Sequence, residues 1–578
     1  METFENEAGQ TVSEETFSNN VIRNLIGTAV PNNGNAQLTI NVPNYLSKLY
    51  IRRKKGFIST SKVISITNNK VNYTHQEAKT NLNKSNNIKP LTTDYLYCVN
   101  GSGELFTVDP LNGNQTLLAS MPMGSYTCAI DPTNNVLYSI GKSSPFPLMK
   151  YTISSNTWET ITDLGIGGPR LGFNSNDGLL YFSKNAKVYT FDPSNGNQLN
   201  SWDILVLDSA SGGDLDFADN GDLYICTFSG LYKLDLNGDG KYQSTRISAD
   251  NLPFSPTSMS FDSNQELWLA DNGSSSDLII MDIITGGWEY KYGINADNGT
   301  DIGRTINDLT TLSIVDNDYV DSDTDGDTTL DNDDCAPNDP DISFKTYTPS
   351  KYGLGTVVFE DLWPSAGDYD FNDVALNYRA VLYTNSQNLA VKLDFICTAK
   401  SHRSGSINAI GFQFDNVLSS QIESVTNTKI FENYLSFNSN GTEAGQDKAV
   451  IIITDNAHKM PDDLIVTIEF TEPINTNLLG TAPFNTFIIG NQVRNNEIHL
   501  PYKISSNLGN QSAGNFIANT GYAWAISIIH DFKVPKETVP ITSAYNNFNT
   551  WATSGGTQNE DWYTDSPGNR NNSNIEDD

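Results

Sequence analysis

The stretch Phe359-Glu-Asp-Leu-Trp-Pro-Ser-Ala-Gly-Asp-Tyr-Asp-Phe-Asn-Asp373 interleaves acidic and aromatic residues, and it decides how the chain around it must fold. Its five carboxylates are Glu360, Asp361, Asp368, Asp370 and Asp373. No Lys or Arg lies among them, so without a partner they would repel one another. An ion with six to eight oxygen ligands removes that repulsion, which favours Ca²⁺ over Mg²⁺. We predict a calcium clamp, with Asn372 and backbone carbonyls as neutral ligands. A solvated acidic loop is the alternative.

Small and apolar residues in the same stretch predict its shape. Gly367 permits a tight turn that returns the second group of acids toward the first. The apolar residues can pack beneath the acids as a floor. They are Phe359, Leu362, Trp363, Tyr369 and Phe371.

Three separated motifs relate this part of the chain to a known family. The first is Phe359–Asp373 followed by Val374-Ala-Leu-Asn-Tyr-Arg379. The second is Gly490-Asn-Gln-Val-Arg-Asn-Asn-Glu-Ile-His-Leu-Pro501, and the third joins Trp551-Ala-Thr-Ser-Gly-Gly-Thr557 to Asp561-Trp-Tyr-Thr-Asp-Ser-Pro-Gly-Asn-Arg570. In this order they resemble the LruC domain of bacterial surface and outer-membrane proteins. The resemblance implies a surface-exposed, metal-binding β-domain and no particular reaction.

An aspartate-rich segment, residues 317–341, precedes this domain and contains no Lys or Arg. Such a segment is expected to be disordered without metal. Its spacing D-x-D-G-D-x-x-x-D-x-x-D-C resembles a thrombospondin type 3 repeat, so we predict a calcium-binding strap. The candidate ligands are Asp321, Asp323, Asp325, Asp327, Asp331 and Asp334. Thr328 stands where that repeat usually has glycine, and Cys335 comes one residue early, which leaves the number of ions and the disulfide open.

A repeat occupies residues 93–316. The pairs Leu96-Tyr97, Leu137-Tyr138, Leu180-Tyr181, Leu223-Tyr224 and Leu267-Trp268 recur at intervals of 41, 43, 43 and 44 residues. This period is typical of a four-stranded propeller blade. The first unit lacks its opening strand, and a spare strand at 309–316 could supply it and close the ring. We predict a five-bladed β-propeller.

One turn in the fourth repeat carries a weaker metal motif, Asp235-Leu-Asn-Gly-Asp-Gly-Lys241. It matches the opening of an EF-hand loop, but Arg246 stands at the twelfth position, where a bidentate Glu is required. A weak calcium site formed by Asp235, Asn237 and Asp239 and a plain Asn-Gly turn remain equally open interpretations.

The rest of the chain also reads as β-structure. We predict a polar lead-in at 1–35, a small β-unit at 36–75, a linker at 76–92 and an antiparallel β-sandwich at 342–578. The fold class is therefore all-β. The four histidines of the last domain are His402, His458, His499 and His530. They lack zinc-site spacing and are interpreted as surface or packing residues.

Composition excludes several classes of function. The net charge is −33 with only 18% charged residues, which argues against binding to nucleic acid and to anionic lipid. No apolar run is long enough to span a bilayer. The first residues, Met1-Glu-Thr-Phe-Glu-Asn-Glu7, lack the basic start and apolar core of a signal peptide. If the protein is exported, we therefore expect this chain to be a trimmed or partial product.

These observations favour a calcium-binding, exported, adhesin-like surface protein that presents its propeller and sandwich to a glycan or to an envelope or host protein. We predict no catalytic residues, because no histidine lies between His75 and His402 and no nucleophile or nucleotide motif occurs. A carboxylate-dependent hydrolase or lyase is the first alternative. Two facing carboxylates with raised pKa values in a pocket at the propeller mouth would favour it. A fimbrial or filament tip subunit is the second, and exposed edge strands in the N-terminal β-unit would favour that.

Overall fold

A computed structural model describes residues 2–5, 24–28, 48–55, 58–65, 91–365, 367–518 and 520–576. The protein is all-β, with several separate sheets and only short helices in these residues. The chain divides into two compact units, residues 88–319 and residues 1–87 together with 320–578.

The N-terminal sheet has four strands: β1 (Glu2–Glu5), β2 (Asn24–Thr28), β3 (Lys48–Lys55) and β4 (Ile58–Ser65). Their order is β2-β1-β3-β4, so β2 and β4 are its edges. β1 and β2 come from the segment predicted as a polar lead-in, whereas β3 and β4 lie in the predicted β-unit at 36–75. The rest of that β-unit lies outside the described residues, as does the linker 76–92 apart from its last two positions.

The unit at 88–319 contains twenty strands. They are β5 (Leu91–Val99), β6 (Glu104–Val108), β7 (Gln115–Ser120), β8 (Ala129–Asp131), β9 (Val136–Ile140), β10 (Pro147–Thr152), β11 (Thr157–Asp163), β12 (Arg170–Asn174), β13 (Leu179–Lys184), β14 (Lys187–Phe191), β15 (Gln198–Leu205), β16 (Leu215–Phe217), β17 (Leu223–Thr227), β18 (Gly230–Leu236), β19 (Tyr242–Arg246), β20 (Ser258–Phe261), β21 (Leu267–Ala270), β22 (Leu278–Met281), β23 (Trp288–Tyr292) and β24 (Asp308–Asp316).

These strands form five antiparallel groups of four. Four groups are consecutive in sequence: β8 to β11, β12 to β15, β16 to β19 and β20 to β23. The fifth pairs β24 with β5, followed by β6 and β7, so that Leu91 faces Asp316. A parallel bridge from Ile204 to Tyr242 joins the second and third consecutive groups into one sheet of eight strands. The first strands β8, β12, β16, β20 and β24 touch in cyclic order, so the unit closes on itself.

The first strands of neighbouring groups share no ladder of backbone hydrogen bonds, and polar side chains connect them instead. The two Asp214 carboxylate oxygens accept the Leu171 N–H at 3.0 Å and the Met259 N–H at 3.2 Å, which connects β16 to both neighbours. Asp308 accepts the Cys128 N–H at the start of β8. Buried backbone donors would otherwise lack partners, so these carboxylates are part of the fold.

The C-terminal domain is a two-sheet sandwich. Its strands are β25 (Phe344–Thr348), β26 (Gly355–Phe359), β27 (Val374–Thr384), β28 (Leu389–Ser401), β29 (Ala409–Leu418), β30 (Ile422–Thr426), β31 (Lys448–Thr454), β32 (Leu464–Asn475), β33 (Asn485–Ile489), β34 (Glu497–His499) and β35 (Ala525–Ile528). One sheet runs β30-β32-β28-β27-β26-β35, with β25 also on β27, and the other runs β31-β29-β33-β34. A core that includes Phe359, Phe395 and Phe412 fills the space between them.

A C-terminal segment covers the outer side of this domain with its own small core. It contains α1 (Ile541–Ala544) and α2 (Phe548–Thr553). Phe371 lies in this core, and its ring centroid is 6.0 Å from that of Phe548. The described residues also contain 3₁₀ turns at Ile153–Ser155, Ser419–Gln421, Ala457–Lys459, Thr476–Leu478, Gly490–Gln492 and Asn572–Asn574.

Candidate metal centres

The predicted clamp is the loop that joins β26 to β27. Because Phe359 pairs with Val374 across the antiparallel ladder, the residues that leave β26 and enter β27 are held side by side. This brings Glu360 and Asp361 close to Asp373 although twelve residues separate the last two. The Asp361 N–H donates to Asp373 Oδ2 at 2.9 Å.

The structure divides the clamp acids into two sets. Glu360, Asp368 and Asp370 each offer a carboxylate oxygen, and these three atoms lie within 4.8 Å of one another. Asp361 and Asp373 form a separate pair. In that pair Asp361 Oδ2 accepts the Asn408 side-chain amide at 2.9 Å and the Ser404 hydroxyl. Only the first set has the convergence that a shared ion requires.

Two atoms of the clamp residues are buried and have no hydrogen-bond partner among the described residues. They are Glu360 Oε2 and Asn372 Oδ1. These two residues are 0% and 1% exposed. A buried polar atom without a partner costs about 1–3 kcal/mol, and more when it is charged. A cation bound by Glu360, Asp368 and Asp370 would give Glu360 Oε2 a partner.

Other atoms of the same residues hold the loop in place. Glu360 Oε1 accepts the Phe371 N–H at 2.7 Å. Asp370 accepts the N–H groups of Asn372 at 3.1 Å and of Thr538 at 2.9 Å. The Asn372 amide donates to the Pro535 carbonyl at 3.2 Å. Backbone N–H groups thus hold Glu360 by one oxygen and Asp370 by both of its oxygens.

The local backbone shows why these residue types occur here. A Cβ on Gly367 would lie 2.5 Å from Glu360 Oε2, so the glycine is needed for close approach to the cluster. Tyr369 and Phe371 have φ values of 54° and 56°, which aromatic residues rarely adopt. Of the predicted floor, Phe359 and Phe371 are buried and Trp363 and Tyr369 are partly buried, but Leu362 is 54% exposed and is not part of it.

Burial and mutual repulsion raise the pKa values of the cluster. Burial, reinforced by the charges of Asp373, Asp370 and Asp368, raises the pKa of Glu360 to about 8. Burial and the charge of Asp368 raise the pKa of Asp370 to about 6. Burial, with the neighbouring Asp361, also raises the pKa of Asp373. No ion pair among the described residues involves a clamp carboxylate, so no side-chain cation relieves this repulsion.

The predicted strap is a set of hydrogen-bonded turns. Asp323, Asp325 and Asp327 have oxygens within 4.8 Å of one another. Asp323 accepts the Gly326 N–H at 2.8 Å, and Asp327 accepts the Ser343 hydroxyl, which connects the strap to the sandwich. Asp325 Oδ2 and Asp334 Oδ2 are buried without partners.

The remaining strap candidates are arranged differently. Burial and the charges of Asp327, Asp325 and Asp331 raise the pKa of Asp334, so it lies near that group. Asp331 accepts from Thr324 and Ser322, and hydrogen bonds from those residues lower its pKa. Asp321 is buried and accepts from the Ser322 N–H at 3.0 Å.

The EF-hand-like motif forms a compact turn. Asn237 Oδ1 accepts the N–H groups of Asp239 and Lys241, each at 3.0 Å. Asp235 pairs with Lys233 at 3.2 Å. These bonds are those of a hydrogen-bonded turn, and the weak calcium site at Asp235, Asn237 and Asp239 stays a prediction.

Partners from distant parts of the chain could not be foreseen from the sequence motif. Thr538, Pro535, Ser404 and Asn408 all contact clamp residues. A second group that the motif search missed joins Arg494 to Glu443 and to Glu497, the latter at 2.6 Å, and Glu497 to the buried His499 at 3.0 Å. The charged and polar groups of these residues are paired with one another, so the group stabilises the sandwich.

The histidines do not converge with the acids. His402 and His458 pack edge to face with ring centroids 5.2 Å apart, and His530 contacts Tyr563. Among the described residues, neither candidate metal cluster includes a histidine.

One pair of acids bears on the hydrolase alternative. Asp214 and Asp308 hydrogen-bond to each other where the first strands meet, and burial raises the pKa of both. Their side chains are 1% and 0% exposed. They therefore face each other with raised pKa values, as that alternative requires, but solvent does not reach them.

Comparison with known proteins gives one family match. Residues 388–563 match DUF4842, a domain of unknown function. The match covers most of the sandwich and less than half of the chain, and it begins after the clamp. No curated protein matches the sequence. The described residues contain no helix with the length and apolar character needed to cross a membrane.

Several solved structures are similar to the chain at low identity. A candidate lipoprotein from Bacteroides ovatus is 15% identical over 62% of this chain and 92% of its own, with a TM-score of 0.31. TolB from Acinetobacter baumannii is 18% identical over 34% and 52%, with a TM-score of 0.25. An auxiliary nutrient binding protein from Bacteroides thetaiotaomicron is 12% identical over 37% and 60%, with a TM-score of 0.27. At these TM-scores the neighbours do not assign a function.

Proposed function

We propose that this chain is a calcium-binding, exported cell-surface protein of binding or structural type. In this proposal residues 93–316 form a five-bladed β-propeller, residues 317–341 a calcium strap and residues 342–578 an LruC-like domain. The cyclic contact of five first strands supports the propeller. The motif order around the clamp supports the LruC assignment.

One observation carries the calcium proposal. Glu360 Oε2 is buried without a partner, in a cluster with Asp368 and Asp370. A cation would give this oxygen a partner and would neutralise all three acids, whereas protonation of Glu360 alone would leave the charges of Asp368 and Asp370 facing each other. The donors are all oxygens and their number can reach six or more with backbone carbonyls, which matches Ca²⁺.

An all-oxygen donor set is compatible with an extracellular location. Calcium sites of extracellular modules work at dissociation constants of about 10⁻⁴–10⁻³ M, which are weaker than those of cytosolic sensors. Such sites would stay empty at cytosolic calcium levels. A glycan or an envelope or host protein is the partner class that we propose.

Calorimetric titration of the metal-free chain with Ca²⁺ tests this function. We expect more than one ion to bind, with a higher melting temperature in calcium than in chelator. Glu360→Gln should lower clamp affinity at least tenfold, because it removes a buried charged ligand. Asp325→Asn should weaken only the strap.

Glu423→Gln is the matched control, since Glu423 is exposed and the substitution changes the net charge equally. It should leave both affinities unchanged. An unchanged melting profile on chelation, or equal effects of Glu360→Gln and Glu423→Gln, would reject the clamp. A nanomolar dissociation constant would remove the argument for an extracellular location.

We propose that the chain has no catalytic activity and that Asp214 and Asp308 are structural. Their oxygens accept backbone N–H groups from neighbouring strands, which explains their burial without a substrate. The filament-subunit alternative depends on side-chain exposure in the N-terminal sheet, which lies outside the described features.

A further inference from the structure

A cleft of about 310 Å³ lies where three consecutive strand groups of the 88–319 unit meet. Its walls come from the link before β8, the β9–β10 hairpin and the link before β12. The lining residues are Tyr126, Ile140, Gly141, Lys142, Phe146, Gly167, Gly168 and Pro169. The volume is at the small end of the range for ligand sites.

The rings of Tyr126 and Phe146 are part of this lining, and each lies against a glycine. A Cβ on Gly101 would lie 2.9 Å from the Tyr126 ring, and a Cβ on Gly167 would overlap the Phe146 ring. Neither ring packs against another aromatic ring among the described residues. Tyr126 is 45% exposed, and its hydroxyl makes no hydrogen bond within the described part of the chain. Tyr126 therefore presents an exposed ring, and the partly buried Phe146 packs against the neighbouring hydrophobic core.

The position of Phe146 is maintained against backbone strain. Its φ of 61° is unusual for a bulky residue. Its N–H donates to the Ser143 carbonyl at 2.8 Å, and its own carbonyl accepts the Leu164 N–H at 3.1 Å. Strain of this kind is concentrated at binding sites, where it fixes a side chain in advance of its ligand.

The polarity of the cleft narrows the class of ligand. Its lining has no carboxylate in a chain of net charge −33, and its one charged group is Lys142. The Lys142 ammonium donates to the Gly101 carbonyl at 2.6 Å and keeps further donors. Three of the eight lining residues are glycines, which expose backbone amides in place of alkyl groups. The occupant thus needs apolar faces and a polar rim, and it is not a cation.

We propose that this cleft binds a carbohydrate, with one sugar ring between Tyr126 and Phe146. The aromatic faces cover the C–H faces of the ring, and Lys142 and the Tyr126 hydroxyl bind its oxygen atoms. This inference rests on the proposed surface-binding function and names both its ligand class and its site.

An array of neutral and uronic-acid-containing oligosaccharides, probed with the full chain in millimolar calcium, tests the proposal. We expect binding to at least one group of glycans. In titrations with the best ligand, Tyr126→Ala and Phe146→Leu should each lower affinity about tenfold or more, and Tyr126→Phe should restore most of it. Lys142→Met should weaken uronic-acid ligands more than neutral ones.

Phe228→Ala is the matched control. Phe228 is 43% exposed, also lies against a glycine, Gly212, and is outside the cleft lining. The Phe228→Ala variant should bind the glycan with the affinity of the wild type. The melting temperatures should show that all variants fold. The proposal is overturned if no glycan on the array binds, or if glycan binding is unchanged by the substitutions at Tyr126 and Phe146. It is also overturned if only a proline-rich peptide library binds and that binding requires Tyr126. Calcium titration of the same samples tests the calcium proposal independently, so a failure of glycan binding can be distinguished from a failure of calcium binding.

Discussion

At the scale of single residues, Thr328 shows where the strap departs from the repeat that it resembles. Its φ is 82°, which costs a β-branched residue about 1–2 kcal/mol, and the resembled repeat has glycine there. Thr328→Gly should therefore stabilise the 320–578 domain by about 0.5–1 kcal/mol in urea unfolding with calcium, after the greater flexibility of glycine in the unfolded chain is counted. Thr346→Gly, in strand β25, should destabilise it. Destabilisation by both would show that Thr328 is not strained.

Sequence reasoning at this scale grouped three of the acids but did not find their hydrogen-bond partners. Glu360, Asp368 and Asp370 lie close together because the motif contains both ends of one hairpin loop, and their role as metal ligands stays a prediction. Asp361 and Asp373 separate from them, because Ser404 and Asn408, more than thirty residues away, bind Asp361. No local pattern encodes such contacts.

At the scale of elements, the first strands of the 88–319 unit enclose a buried pair of carboxylates, Asp214 and Asp308, that hydrogen-bond to each other. Asp214 also lies near the buried Arg170, Asp216 and Cys226, and Asp308 lies near Cys98 and Cys128. Burial raises the pKa of Asp214 to about 8, above its value in the unfolded chain. The folded state therefore binds the extra proton, and its stabilising effect is complete below the unfolded pKa and is lost as pH rises through about 8.

We expect hydrogen exchange of β16 and β20 to show a free energy of unfolding that falls between about pH 4, the unfolded pKa of an aspartate, and about pH 8, with a limit of about 1.4 kcal/mol per pH unit for one proton. Asp214→Asn should be less stable at low pH and should have a shallower slope, because it removes one titrating group. Asp415→Asn is the control and should keep the wild-type slope. A wild-type slope of zero would show that the pair does not share a proton.

The elements themselves were predictable to different degrees. The spacing of the Leu-aromatic pairs predicted strands at all five repeats, because buried alternation is a local property. The parallel bridge from Ile204 to Tyr242 was not predicted, since it depends on how neighbouring groups approach each other. Helices α1 and α2 were also missed, because each is too short to show a helical period.

At the scale of the whole molecule, the pairing of β5 with β24 brings the two ends of the 88–319 unit together. Leu91 and Asp316 are partners in an antiparallel ladder, so their Cα atoms are about 5 Å apart. Replacing residues 92–315 with a short Gly-Ser linker should leave clamp calcium binding unchanged in titration. Removing only residues 91–205, which leaves β24 without β5, should instead give an aggregated protein. Loss of clamp binding in the first deletion would show that the domains fold as one.

Adjacent entry and exit points make the inserted unit exchangeable. Recombination could replace the 88–319 unit with another unit of any size, provided that the two ends of the new unit also meet. The rest of the chain would not need to change. The two units could then diversify separately, and related chains would share the acidic loop while carrying unrelated inserts.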